Sequence, residues 1–244
     1  MLIGAVIPVY NHGGPVGGVV RALRANGLPV LLVDDGSTAD CAAVLDALAV
    51  ADPQVFLERL SHNQGKGAAV MAGLRAAQKR GWTHALQIDA DGQHDTRDVP
   101  RFLAATRSQP EAFICGCPVY DTSVPKGRLY GRYATHIWVW INTLSFAVRD
   151  SMCGFRVYPL ARVLPVIEQS RIGRRMDFDV ELAVRLVWAG VPVRNEPTAV
   201  RYPEDGVSHF RALHDNLLIS AMHTRLFFGM LWRAPMLLWR KVAA

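Results

Sequence analysis

Two acidic pairs are the residues of this chain best placed to do chemistry. Asp89-Ala90-Asp91-Gly92-Gln93-His94 follows the apolar run His84-Ala85-Leu86-Gln87-Ile88, and Asp34-Asp35-Gly36-Ser37 follows the run from Pro29 to Val33. Each run reads as a buried strand, so both pairs emerge at the carboxyl ends of strands, where open parallel sheets bind ligands. Asp89 and Asp91 are alternate residues that can reach one cation, with the amide oxygen of Gln93 at the next alternate position. Such oxygen ligands suit a hard divalent ion, Mg²⁺ or Mn²⁺, which keeps open positions for phosphate oxygens. Asp and Gly also make ordinary solvated turns. The strand that leads into this turn and the second acidic pair favour a metal that holds a nucleotide diphosphate.

Other residue groups allow two readings each. Asp35, at a strand end, can accept from a base N–H or a ribose hydroxyl, while Ser37 or Thr38 can cap the helix that follows; both can hold at once. Pro8-Val9-Tyr10-Asn11 either presents Tyr10 as a wall for a base or is a plain strand-to-helix turn. Asn63-Gln64-Gly65-Lys66-Gly67 opens a helix and can offer backbone N–H groups and Lys66 to phosphate. Its spacing is neither that of a Walker A loop nor that of a dinucleotide fingerprint, and a simple turn is the other reading.

Further along, Asp150-Ser151-Met152-Cys153-Gly154-Phe155-Arg156 joins a carboxylate to an arginine, and Arg171, Arg174 and Arg175 precede Asp177, Asp179 and Glu181. Arginines suit bidentate phosphate contacts. For a hydroxyl acceptor Asp179 is the first choice of general base and Asp177 the second; acidic residues at a helix N-terminus are also simply favourable there. The loop from Arg201 to His209 can close over phosphates or lie on the surface.

The elements that must position these groups alternate along the first half. Strands are expected at Leu2–Val9, Val30–Val33, Val55–Leu57, Ala85–Ile88 and Ala112–Cys115. Between them come helical patterns: a face of Val16, Val19, Val20 and Leu23, then Ala42–Ala51, Gly67–Lys79 and Val99–Thr106. This β-α-β-α order predicts an α/β fold, an open, mostly parallel sheet with helices on both faces. The second half is less regular, with helices at Tyr130–Phe146 and Asp177–Ala189 and one or two strands in Val191–Tyr202. The tail from Phe210 to Lys241 reads as helical until Pro235. Residues 1–210 are expected to form the catalytic domain and 211–244 an amphipathic helical extension. With Trp232 and Trp239 beside Arg233, Arg240 and Lys241, that extension suits either a membrane interface or a core or dimer contact.

Composition narrows the function classes. The 244 residues are half hydrophobic, enough for a sizeable core. Lys and Arg number 27 against 21 Asp and Glu, a net +6 that suits an anionic partner. No basic stripe interleaved with aromatics points to nucleic acid. Cys41, Cys115, Cys117 and Cys153 form no C-x-x-C pair, so zinc is not expected, and scattered thiols suggest a cytoplasmic setting. The opening residues read as a first strand rather than a leader. Ile137–Val148 is too short to span a membrane, and Leu217–Trp239 is interrupted by His223, Arg225 and Arg233.

In their order, Pro8-Val9-Tyr10-Asn11, Asp34-Asp35-Gly36-Ser37, Asn63-Gln64-Gly65-Lys66-Gly67, Asp89-Ala90-Asp91-Gly92-Gln93-His94, Asp150 with Gly154-Phe155-Arg156, and Phe178-Asp179-Val180-Glu181 resemble family 2 glycosyltransferases. The likeness is to the dolichyl-phosphate mannose/glucose synthase-like branch, over roughly Leu2 to Phe210. It implies a GT-A fold, a UDP- or GDP-sugar donor, Mn²⁺ or Mg²⁺, and inversion at the anomeric carbon. It assigns Asp91 to the metal with help from Asp89 and Gln93, and Asp35 to the base. Pro8, Tyr10, Asn11, Lys66, Asp89 and Arg156 join the donor site. Arg201 and Ser208 sit where the branch has a phosphate loop, with a longer spacing to Gly206 and with His209 where lysine is usual. The tail also looks like glycosyltransferases found beside bacterial lipid or aryl-polyene pathways.

The expected activity is metal-dependent hexosyl transfer to a lipid-linked, polyprenyl-phosphate or other membrane-associated acceptor, at the inner membrane face with peripheral contact. The alternatives are a nucleotidyltransferase, which would release pyrophosphate, and a non-catalytic nucleotide-sugar-binding protein.

Overall fold

The computed structural model describes residues 1–120, 126–200 and 212–242. Arg201, Ser208 and the expected boundary at 210/211 lie outside them. In chain order the elements are β1 (Ile3–Val9), α1 (Gly13–Ala25), β2 (Val30–Asp34), α2 (Ala39–Ala51), β3 (Val55–Arg59), α3 (Lys66–Lys79), β4 (His84–Gln87) and α4 (Val99–Ser108). There follow β5 (Phe113–Tyr120), α5 (Lys126–Thr143), β6 (Arg156–Pro159), α6 (Leu160–Glu168), α7 (Phe178–Trp188), β7 (Val193–Val200) and α8 (Ala212–Val242). The strands form one sheet in the order β3-β2-β1-β4-β6-β5-β7. All neighbours pair parallel except β6, which runs antiparallel to both β4 and β5.

The pleat explains why β1 and β2 are apolar throughout. Successive side chains point to opposite faces, and here both faces are covered. Ala5, Ile7, Val30 and Leu32 join one core with Val16 and Leu23 of α1, Leu45 of α2 and Phe102 of α4. Val6, Leu31 and Val33 join the other with Val70 and Leu74 of α3, Leu182 of α7 and Met222 and Leu226 of α8. The expected face Val16, Val19, Val20 and Leu23 is the buried face of α1.

Four elements differ from the sequence expectation. β6 and α6 were not legible: Arg-Val-Tyr-Pro is a four-residue strand that carries an arginine and ends in proline, and only its place between β4 and β5 makes it one. Helix α5 stops at Thr143, where Leu144 takes a left-handed φ of 49°, a conformation that terminates helices. Helix α8 does not end at Pro235 but continues to Val242. A proline inside a helix leaves the carbonyl four residues earlier without its donor. Here Pro235 and Leu231 both lie on the exposed side, where water can serve that carbonyl. At 1.5 Å per residue α8 is roughly 46 Å long, and among the described residues no helix is long and apolar enough to cross a membrane.

Candidate active site

Asp89, after β4, and Asp179, in the first turn of α7, meet around one ammonium group. Lys66, the first residue of α3, places Nζ 2.8 Å from Asp89 Oδ1 and 3.0 Å from Asp179 Oδ2, and it also donates to Asp89 Oδ2 at 2.9 Å. Burial alone would lower the lysine pKa, but the carboxylates of Asp179 and Asp89 outweigh it and raise it. Burial would likewise raise Asp89, yet Lys66 and His94 hold its carboxyl well below the usual range.

Close backbone approach makes this possible. Gly65 precedes α3 with φ of 102°, and a Cβ there would lie 2.5 Å from the Arg174 carbonyl oxygen. A Cβ on Gly154 would lie 2.1 Å from Asp89 Oδ2, so the loop before β6 passes directly against the Asp89 carboxylate.

Asp179 sits in the first turn of α7, with both oxygens occupied. Oδ2 faces Lys66, while Oδ1 lies 3.4 Å from Arg156 Nη1 and accepts from Gln87 Nε2 at 3.4 Å. Gln87 is fixed in turn by the Tyr158 hydroxyl, which donates to its Oε1 at 2.9 Å. Asp177 is turned back on its own loop, its Oδ1 accepting from the Arg175 N–H at 3.2 Å.

Arg156 packs into the interior of the fold. It is wholly buried, and its guanidinium donates to the carbonyls of Cys153, Asp179 and Ser151 at 2.7, 2.7 and 2.6 Å. It ties the loop before β6 to α7 and so sets the spacing of Asp179 from Asp89.

Asp35 also has structural work. Its two oxygens accept from the N–H groups of Gln64 and Gly65 at 2.8 and 2.9 Å, which shapes the turn that carries Lys66; burial raises its pKa. Asn11 accepts from the Thr38 N–H at 2.8 Å and donates its own N–H to Ser37 Oγ at 3.1 Å, clamping the end of β1 to the start of α2. Pro8 is buried in β1 opposite Val33, and Tyr10 is half-buried just beyond.

Asp91 and Gln93 occupy the turn after β4. Asp91 Oδ1 accepts from the Gln93 N–H at 3.0 Å, and Gly92 takes φ of 72°. Burial, and then the neighbouring charge of Asp89, raise the Asp91 pKa, a strain that a divalent cation would relieve. Among the described residues no three His, Cys, Asp or Glu are grouped to hold a metal by themselves. Asp91 and the amide oxygen of Gln93 are donors of the kind an Mg²⁺-type ion prefers, while the Asp89 carboxylate already faces Lys66.

A family model described as "Glycosyl transferase family 2" matches residues 5–164, which span β1 to α6 and include the turn with Asp89 and Asp91. The chain belongs to glycosyl transferase family 2. Among its relatives, the undecaprenyl-phosphate mannosyltransferase of Micrococcus luteus is 33% identical over 208 residues, 81% of this chain and 82% of that one. The polyprenol monophosphomannose synthase of Mycolicibacterium smegmatis is 28% identical over 220 residues, 83% of this chain and 78% of that one. These place the glycosyltransferase in the dolichyl-phosphate mannose/glucose synthase-like branch. A solved mannosyltransferase of Pyrobaculum calidifontis, in complex with GDP-Man and Mn²⁺, superposes with a TM-score of 0.61 at 16% identity, covering 95% of this chain and 64% of that one. That likeness carries the fold, and the seven-stranded, mostly parallel sheet with its C-terminal helix is GT-A.

The glycosyltransferase holds two further polar groups that sequence reading left without roles. Asp150 accepts from Arg132 Nε and Nη2 at 2.6 and 2.8 Å, from His136 Nε2 at 3.2 Å and from the N–H groups of Met152 and Cys153. Burial opposes its charge, but the bonds from His136 and Arg132 prevail and hold its pKa well below the usual range. Arg132 and His136 stand four apart on α5, and that spacing was the available signal. His94 places Nε2 3.8 Å from Asp89 Oδ2 with its ring 5.7 Å from Phe155, and its backbone bridges Val200 at the end of β7.

Proposed function

We propose that this glycosyltransferase moves a hexose from a UDP- or GDP-sugar to a polyprenyl phosphate or a similar membrane-borne anion, with inversion. The observation that carries the reading is the position of Lys66 between Asp89 and Asp179. A hydroxyl acceptor needs a base with a free oxygen, whereas both oxygens of Asp179 already face donors. A phosphate acceptor arrives deprotonated and needs no base. The undecaprenyl-phosphate mannosyltransferase and the polyprenol monophosphomannose synthase among its relatives support this reading.

Asp91 and Gln93, with Asp89, are the residues that would hold Mn²⁺ or Mg²⁺. Such an ion would neutralise charge on the leaving diphosphate. Lys66 supplies a fixed positive charge beside the same oxygens. Tyr10 and Asn11, at the end of β1, border the place of the base, and Asp35 shapes the turn beneath it. Arg156 acts as a positioning residue, and Asp179 orients Lys66.

Peripheral membrane contact is part of the same proposal. Helices α5 and α8 lie side by side, Trp138 packing edge-on against Phe227 at 6.2 Å. Their outer faces expose Ile137, Trp138, Phe228 and Trp232, with Trp239 further along α8. Lys241 is exposed at the end of α8, while Arg233 stacks on Trp188 and Arg240 donates to the Trp188 carbonyl. Exposed aromatics along an amphipathic helix suit an interfacial helix on lipid.

The test is transfer from radiolabelled UDP-glucose or GDP-mannose to undecaprenyl phosphate in detergent, with Mn²⁺ and with EDTA. Metal-dependent formation of a lipid-linked sugar from one donor is the expected result. Free sugar without lipid product would remove the acceptor assignment, and pyrophosphate release from a nucleoside triphosphate would move the chain to nucleotidyl transfer.

A further inference from the structure

Glu181 is completely buried, two residues after Asp179, and joins three parts of the chain. Its Oε1 accepts from Arg185 Nε and Nη2 at 3.0 and 2.7 Å, within α7. Its Oε2 accepts from the Gly173 N–H at 2.9 Å and from Arg225 Nη2 of α8 at 2.7 Å. One oxygen thus holds both the 171–177 loop and the long C-terminal helix.

The loop is in turn the seat of α3. The Arg174 carbonyl accepts from the Ala68 N–H at 3.0 Å. A Cβ on Gly65 or Gly67 would run into the Arg174 backbone or Phe178, so no side chain cushions the contact. Lys66 stands between those two glycines. From Arg225 to Lys66 the path is therefore a guanidinium, a buried carboxylate, a loop amide and a helix N-terminus.

We infer that Arg225 and Glu181 are positioning residues, through which the seating of α8 fixes the turn that carries Lys66. A buried carboxylate keeps its orientation only while its cations stay in place. Arg185 secures Oε1, and its Nη2 also donates to the Arg171 carbonyl at 3.3 Å at the start of the loop. Without Arg225, water enters beside Oε2 and competes for it with the Gly173 N–H, and the loop loosens at Gly173. The catalytic consequence rests on the transferase reading above. The tether itself does not. Because α8 also carries the exposed tryptophans, this ion pair joins the proposed lipid-facing helix to the site.

Backbone hydrogen exchange read by mass spectrometry tests this, on the full chain with Arg225→Gln and Arg225→Lys. Arg225 is half-exposed, so its removal leaves the cores intact. Arg225→Gln is expected to speed exchange at least tenfold in 172–176 and 66–69 while 216–230 stays protected. Turnover of the lipid acceptor should fall about tenfold, and Arg225→Lys should restore most of both. Unchanged exchange in the two segments overturns the inference. So does faster exchange spread through α8 and the sheet, which would make Arg225 a general stabiliser, or faster exchange in the two segments with turnover intact. If the unmodified chain transfers nothing, the transferase reading fails, and the exchange pattern still decides the tether.

Discussion

The ammonium of Lys66 lies 3.0 Å from Asp179 Oδ2 while it also contacts Asp89. A residue of the α3 turn thereby joins the acidic turn after β4 to the first turn of α7. Lys66→Met should leave two adjacent carboxylates facing each other without their cation. Removing one partner of a buried pair costs about 3 kcal/mol or more, which urea denaturation would register as a lower midpoint at unchanged slope. Transfer should fall on the order of 100-fold. Full activity in this variant would end any role for Lys66 at the reacting diphosphate.

Asp91 accepts from the Gln93 N–H of its own half-exposed turn and feels the Asp89 charge beside it. Asp91→Ala should abolish transfer and leave the melting temperature within a few degrees, because no buried partner is orphaned. Calorimetric titration of Mn²⁺ with the donor nucleotide would show the ternary complex lost. Normal turnover by Asp91→Ala would refute the metal assignment.

Gly154→Ala probes the close passage of the β6 loop. The new methyl would meet Asp89 Oδ2 at 2.1 Å, so either the carboxylate or the loop must shift. Overpacking of this kind costs about 1–3 kcal/mol. The expected signature is at least a tenfold loss of transfer in a protein that still unfolds cooperatively. A variant indistinguishable from the parent would mean that Asp89 can move without consequence.

His223 lies in the seam between α5 and α8, buried, with Nδ1 3.2 Å from Asn142 Nδ2 and its ring 6.0 Å from that of Trp138. Burial pushes its pKa down to about 4. The folded state thus prefers the neutral ring, and the unfolded chain takes up the proton first. This contribution is fully present above about pH 6.5 and is lost as the pH falls toward 4. The difference between those two values corresponds to about 3 kcal/mol. Stability measured by denaturant across that window should fall more steeply in the parent than in His223→Phe. Parallel curves would show that His223 titrates alike in the folded and unfolded chain.

Trp232 and Trp239 are 86% and 71% exposed on α8, so replacing either by Ser removes little from the core. Each substitution should weaken sedimentation with anionic vesicles by about tenfold or more, at an unchanged melting temperature. Equal binding by the double variant would leave the lipid contact to other residues.

The sequence by itself determined the strands and helices of the first half and the place of the acids. Runs such as Val30–Val33 are apolar at every position because both faces of the sheet are covered, and a period of two or 3.6 residues is a local property. Asp89 and Asp91 at a strand end, and Lys66 at the start of a helix, were legible for the same reason. Only the tertiary structure decided what these side chains touch. Periodicity reports which face a residue takes, not which distant residue it meets. Lys66 and Asp179 meet because α3 and α7 pack with glycines between them. Arg156 turns inward because β6 is inserted antiparallel between β4 and β5, which buries its guanidinium among carbonyls. Glu181 reads as one more acid at a helix start, and becomes a junction only when Arg225 reaches it from α8, since two elements far apart in the chain must fold together before that pair exists.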